Sequence, residues 1–362
     1  MARFEGALAR AAARHGFVPA AHAEIISRVC DAARFDAAAL AREGREGTLA
    51  IPFVKQLTAQ VARVSPEAAR HVHSGATSQD VIDTAVSLCL KPACARVLEL
   101  IARLGNAAAE LAQRHARTPT LARTLLQPAL PITFGWKAAV WLSLLARSRQ
   151  AFRRVSAEAC VLQFGGPSGT LASFGERGAE LSSALAQELD LPASVVPWHS
   201  ARDRFARLAA ELAILAGTAG KIGRDISLLM QPEVGEAAEG VRAGRGGSSS
   251  MPHKRNPALS MLALEAAQRA PGLAATLLAQ LAPEHERGLG QWQSQWFTLR
   301  ELVCACASGA AAIADALEGL QVNEQAMRAN LESLLKGEPR DAFGAARAMI
   351  EQALATWRET AP

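Results

Sequence analysis

One helical seam limits what this chain can fold into. From Arg202 onward, Phe205, Leu208, Leu212, Leu215, Ala219, Ile222, Ile226 and Leu229 recur in alternating steps of three and four. Such spacing is an apolar stripe sustained over about eight helical turns, and no strand keeps that period. Asp203 suits the first turn, where the helix dipole favours a negative charge. Pro232 marks where the helix ends or bends.

The same pattern recurs. Between Thr84 and His115 the seam is Val86, Leu90, Ala93, Val97, Leu100, Leu104, Ala108 and Leu111, with Pro92 predicting a kink. Further helical stretches cover 131–163, 258–281 and about 290–320. They exceed ordinary globular helix length and are apolar on several faces, as in WKAAVWLSLLA at 136–146. Helices of that kind need neighbours on several sides, which predicts a long-helix bundle that also assembles between subunits. The composition agrees: half the residues are hydrophobic and Tyr is absent. The expected fold class is all-α, divided into an N-terminal helical domain (1–84), a central long-helix bundle (85–320) and a C-terminal helical segment (321–362).

Charge narrows the function. The net charge is +5, but the cations are scattered among acids, as in Arg42-Glu43-Gly44-Arg45-Glu46, and form no basic tract for nucleic acid. The six Cys include no C-x-x-C pair and read as small core residues. No metal-ligand spacing stands out: His71 and His73 lack a third ligand. Nucleotide-binding glycine motifs and the hydrolase G-x-S-x-G elbow are absent, so no cofactor is expected. The N-terminus reads as an amphipathic helix, and no run of 18 apolar residues suggests a membrane span. The expectation is a cytoplasmic protein with no membrane or nucleic-acid partner.

The polar loops hold the chemistry. Residues 244–257, GRGGSSSMPHKRNP, combine Gly, hydroxyls, Lys254 and Asn256 ahead of a helix start at Pro257. That helix N-terminus is expected to add positive potential, and the run reads either as an anion site or as a flexible Ser/Gly linker. Residues 73–80, HSGATSQD, gather His73, Thr77, Ser78, Gln79 and Asp80 before a long helix. Thr77 and Ser78 can donate to a carboxylate, while Asp80 alone reads as a helix cap. Residues 117–131 read as a loop carrying Arg123, Thr124 and Gln127. His199, in PWHSARDR, is either a cap or a site residue.

Three of these runs, in this order, resemble the signature regions of the fumarase/aspartase superfamily: 73–80, 123–131 and GSSSMPHKRNP at 247–257. The resemblance covers about 50–330. It implies a long-helix bundle with shortened N- and C-terminal parts, and a homotetramer whose active sites each draw on three subunits. Two branches share SSxMPHKRNP, the adenylosuccinate lyases and the bacterial 3-carboxy-cis,cis-muconate cycloisomerases. Adenylosuccinate lyases have Thr-His-Leu-Gln in the second region, with a catalytic His; here the run is Thr124-Leu125-Leu126-Gln127. IPFVKQLT (51–58), QFGGPSGTLA (163–172), PWHSARDR (197–204) and EHERGLGQWQSQW (284–296) also look like the cycloisomerase branch.

The resemblance implies lactonisation of a carboxymuconate in aromatic-acid catabolism, without metal or cofactor. It makes Ser248 the proton-transferring residue and His73 a second acid. It assigns Thr77, Ser78, Arg123, Gln127, Ser249, Lys254 and Asn256 to a polycarboxylate substrate. The competing readings are a β-elimination enzyme like adenylosuccinate lyase and a catalytically silent helical scaffold.

Overall fold

The structure, a computed structural model, describes residues 1–240, 246–247, 250–251, 254–334 and 343–361. In chain order its elements are α1 (Ala2–Arg14), α2 (Ala20–Ala32), α3 (Ala37–Glu43), α4 (Ala50–Ala62), α5 (Pro66–Ala69) and α6 (Ser78–Arg114). Strands β1 (Pro119–Thr124) and β2 (Gln127–Thr133) follow, then α7 (Phe134–Ala159), α8 (Gly178–Leu189), α9 (Asp203–Leu229) and β3 (Ala237–Ala238). The chain closes with α10 (Ala258–Leu278), α11 (Gln291–Glu318), β4 (Gln321–Val322), α12 (Glu324–Leu334) and α13 (Ala346–Glu359).

The α9 seam forms as its spacing requires: Phe205, Leu208, Leu212, Leu215, Ala219, Ile222, Ile226 and Leu229 are all buried. Burying a Leu or Ile side chain contributes roughly 1.5–3 kcal/mol relative to exposure, so this one stripe is a major source of stability. Helix α6 runs for 37 residues and continues through Pro92. Helix α11 has the length and hydropathy to cross a membrane, but half of its apolar window is buried, with Leu302, Cys306 and Ile313 in the core. It is a core helix.

One expectation fails. Residues 117–131 are not an open loop. β1 and β2 pair antiparallel, Pro119 opposite Thr133 and Thr124 opposite Gln127, with a bulge between Leu121 and Arg123. The turn is Leu125–Leu126, both with positive φ (52° and 65°), the backbone of a tight two-residue hairpin. Leucine at such positions is strained, and these two are also largely exposed.

The chain packs as two compact units. Unit 1 comprises 1–93, 156–204 and 281–291; unit 2 comprises 94–155, 205–280 and 292–362. In unit 1 the core is the contact of α1, α2, α4 and α8 around Phe4, Leu8, Ile26, Phe53, Leu57, Leu181 and Leu185. Unit 2 contains the hairpin, nearly all of α9, and α10 to α13. There α13 docks through Trp357, whose indole N–H donates to Asn106 at 3.0 Å while the Arg149 guanidinium lies 4.6 Å above the ring. Gly105 makes this possible, because any Cβ there would lie 2.1 Å from the Trp357 ring.

Candidate active site

In unit 1 the first three turns of α6 carry a buried polar face. Asp80, Asp83, Thr84 and Ser87 are fully buried, at spacings of three and four that place them on one side of the helix. Each of the first three ties down a different piece of loop. Asp80 accepts the Thr77 N–H at 3.0 Å, the reach-back of a residue in the first helical turn. It also accepts the N–H groups of Gly165 (3.0 Å) and Gly166 (2.9 Å), and His199 Nε2 lies 2.7 Å away. Asp80 therefore does more than cap. Its carboxylate joins loops 73–80, 164–170 and 197–202, and His199 serves that junction.

Asp83 receives the Arg202 guanidinium at 2.6 and 3.2 Å. The Thr84 hydroxyl donates to the Gln163 carbonyl at 2.7 Å, while Gln79 Nε2 donates to the His199 carbonyl at 2.9 Å. Gly166 adopts φ +70°, and a Cβ on it would sit 2.7 Å from the Gly75 carbonyl oxygen. Two loops meet there at backbone distance, which only glycine permits.

On this frame stand the sequence-predicted residues His73, Thr77 and Ser78, all half-buried. Thr77 Oγ1 accepts from Arg287 Nη1 at 2.9 Å, and Arg287 Nη2 donates to the Gly166 carbonyl at 3.0 Å. Arg287 Nε is buried without a partner. His73 Nδ1 lies 2.7 Å from Glu5 Oε1, and Glu5 is 1% exposed. Burial pulls the His73 pKa down, but the bond to Glu5 and the charges of Glu5 and Asp80 outweigh it, so the net shift is upward. The imidazole is thereby favoured in its cationic form.

Unit 2 holds Arg123, Gln127, Lys254 and Asn256. Arg123 is expected as a carboxylate ligand, but its fork closes on Glu236, at 2.7 and 2.9 Å. Glu236 is fully buried and also accepts from Thr120 and Asn330. Arg123 thus fastens the hairpin to the 236 segment, and Gln127 stands exposed at the start of β2. In the 244–257 run, the Asn256 N–H donates to the Gly246 carbonyl at 2.8 Å, which closes the loop at its base. Lys254 is exposed. Ser248 and Ser249 lie outside the described residues.

The α10 N-terminus departs from expectation. It is not open to an anionic ligand, because the Glu239 carboxylate accepts the Leu259 N–H (3.0 Å), the Ser260 N–H (2.7 Å) and the Ser260 hydroxyl (2.7 Å). The positive end of that helix is already neutralised from within the chain.

Among the described residues no group of His, Cys, Asp and Glu forms a metal-binding cluster. Cys30, Cys94, Cys160 and Cys306 are buried thiols, and burial pushes Cys30 and Cys306 up to about 12. Those two thiols are inert at neutral pH.

Sequence reasoning missed Glu5, Asp83, Arg202, Glu236, Glu239 and Arg287. Some signal for Glu5 was present. It falls inside the apolar stripe of α1, beside Phe4 and Leu8 and three to four residues from buried Ala9 and Leu8. A charge placed there needs a partner.

Comparison with known proteins gives the family and the fold. A family model described as Lyase matches residues 1–272. The chain is 51% identical to the 3-carboxy-cis,cis-muconate cycloisomerase of Bradyrhizobium diazoefficiens, across 92% of this chain and 74% of that one. It is 41% identical to the nitrosuccinate lyase of Streptomyces davaonensis, across 92% and 72%. Among solved structures it superposes on the 3-carboxy-cis,cis-muconate lactonizing enzyme from Pseudomonas putida. There the TM-score is 0.91 and the identity 35%, over 99% of this chain and 94% of that one. The signature loops, the long-helix bundle and these matches place the chain in the fumarase/aspartase family of lyases.

Proposed function

We propose that this chain is a 3-carboxy-cis,cis-muconate cycloisomerase, forming 4-carboxymuconolactone in the protocatechuate branch of aromatic catabolism. The observation that carries the reading is 51% identity to that enzyme across 92% of the chain, which takes in both units. One substrate carboxylate adds to the conjugated double bond, and a proton is delivered to the carbon beside another carboxylate. The nucleophile belongs to the substrate, so the protein contributes orientation and charge stabilisation.

Ser248 moves the proton, from a loop whose base Glu239 and the Asn256–Gly246 bond hold in place. His73 is the second acid, and Thr77, Ser78, Ser249, Lys254, Asn256 and Gln127 hold the carboxylates. Arg123 acts through the hairpin, since its fork is taken by Glu236. Leu125, at the hairpin turn where adenylosuccinate lyases have a catalytic His, disfavours that alternative. The enzyme works as a cytoplasmic, metal-independent homotetramer in which loops 73–80, 123–131 and 244–257 meet from three chains. The large exposed side chains Leu125, Leu126, Leu130, Ile214 and Met261 support such an assembly.

The test is loss of substrate ultraviolet absorbance on adding purified protein, with and without a chelator. Ser248→Ala should abolish nearly all turnover. No absorbance change with the parent, together with release of a fumarate-type product from nitrosuccinate, would replace cycloisomerisation by β-elimination.

A further inference from the structure

Two half-buried features of His73 stand out together. Its backbone adopts φ +60°, a conformation that costs most non-glycine residues energy. Its side chain is 19% exposed and its backbone carbonyl accepts the Ala76 N–H at 3.3 Å, while its ring and its own N–H both bond to a single partner, Glu5. That partner lies 68 residues away on α1 and grips His73 twice. Glu5 Oε2 accepts the His73 backbone N–H at 3.1 Å, and Oε1 pairs with Nδ1 at 2.7 Å. One carboxylate thus fixes both the strained backbone and the ring orientation.

Glu5 lies in the first turn of α1, where the helix dipole also favours its charge. It sits on the buried face of α1 between Phe4 and Gly6, at 1% exposure, where an unpaired carboxylate is severely penalised. With Nδ1 committed to Glu5, the part-exposed ring leaves Nε2 without a hydrogen bond within the described residues. When one ring nitrogen is held by a carboxylate, the other is the one that acts on a ligand. The charged groups facing His73 are Glu5 from α1 and Asp80 from α6. Asp80 is itself engaged with loop N–H groups and His199.

We propose that Glu5 is the positioning residue of His73, holding its backbone and its ring so that Nε2 points at a carboxylate of the bound substrate. The proposal rests on the cycloisomerase reading for the identity of the substrate, but not for the pairing itself.

The experiment is a titration of His73 by NMR in the full-length parent and in Glu5→Gln, with kcat and KM for 3-carboxy-cis,cis-muconate measured across pH. Removing the opposite charge should lower the His73 midpoint by about one to three units. The basic limb of kcat/KM should move down with it, mainly through a raised KM. Glu5→Asp, which keeps the charge, should retain most of the midpoint. In a His73→Gln background, adding Glu5→Gln should change kcat/KM by less than about twofold, as expected when one residue acts through the other. An unchanged midpoint in Glu5→Gln, or a full additional loss in the double variant, overturns the proposal. If Glu5→Gln does not fold, a His73 midpoint below the ordinary 6.5 in the parent overturns it. A parent that titrates as described but does not turn over the substrate leaves the pairing standing and removes the cycloisomerase reading.

Discussion

Among the described residues a histidine Nδ1 lies within hydrogen-bond distance of a glutamate once in each unit, with opposite results. In unit 1, His73 Nδ1 meets Glu5 at 2.7 Å; in unit 2, His115 Nδ1 meets Glu324 at 3.1 Å. Both rings are largely buried. The carboxylates differ: Glu5 is 1% exposed, Glu324 60%. Around His73 the bond and charge of Glu5 outweigh burial and the pKa rises. Around His115 burial dominates, Glu324 only partly offsets it, the nearby Arg114 charge adds to the depression, and the pKa falls. A carboxylate shielded from water holds its partner's proton; one in water is screened. Unit 1 thus ties its polar frame together through the buried, paired carboxylates of Glu5, Asp80 and Asp83. Among the described residues of unit 2, fully or nearly fully buried carboxylates are held in this way at Glu236 and Glu239, while Arg103, Arg114, Lys221, Arg269 and Arg347 pair at more exposed positions.

The largest expected effect tests that contrast. Arg202→Met leaves Asp83 buried and deprived of its main cation, and should destabilise the protein by about 3–5 kcal/mol. Arg103 in unit 2 also pairs twice, with Asp315 and Glu318, but is 36% exposed. Arg103→Met should cost no more than about 1 kcal/mol. Denaturant midpoints compare the two, and equal losses would erase the distinction. Next in size, Glu239→Ala strips the α10 N-terminus of its acceptor. It should cost about 1–2 kcal/mol and depress turnover, because the same carboxylate steadies one end of the signature loop. Glu239→Gln, which keeps an acceptor oxygen, should recover part of both.

The bundle was legible because apolar side chains repeat at helical spacing whatever they pack against. Every residue of the Phe205–Leu229 seam is buried. The hairpin was hidden by its own chemistry. Its turn is Leu-Leu where Asn-Gly would announce it, and Pro128 and Pro131, which argue against a strand, lie within β2. The signature loops were legible as loops, and their polar residues as candidates. The partners were not. Glu5 with His73, Arg202 with Asp83 and Glu236 with Arg123 are separated by 68 to 119 residues. Only the fold brings such residues together, and a lone acid or arginine in a sequence does not name its partner. For the same reason the dipole of α10 read as available, when Glu239, some twenty residues earlier in the chain, already occupies it.

The smallest effects come from pH, and their signs separate the two histidines. The folded pKa of His73 lies above the ordinary 6.5, so its contribution to stability is full below 6.5 and is lost as pH rises through the folded value. For His115 the folded value lies below 6.5. Its contribution is present above 6.5 and is lost as pH falls from there through the folded value. Stability measured from pH 5 to 9 should therefore change slope in opposite senses when each residue is replaced by Gln. Glu324→Gln should lower the His115 pKa a little further, because Glu324 raises it, and change stability at pH 7.5 by less than about 0.5 kcal/mol. A loss of more than about 2 kcal/mol from that exposed carboxylate would mean that the surface pair is as tightly coupled as the buried one. Exposure would then no longer explain why His73 and His115 shift in opposite directions.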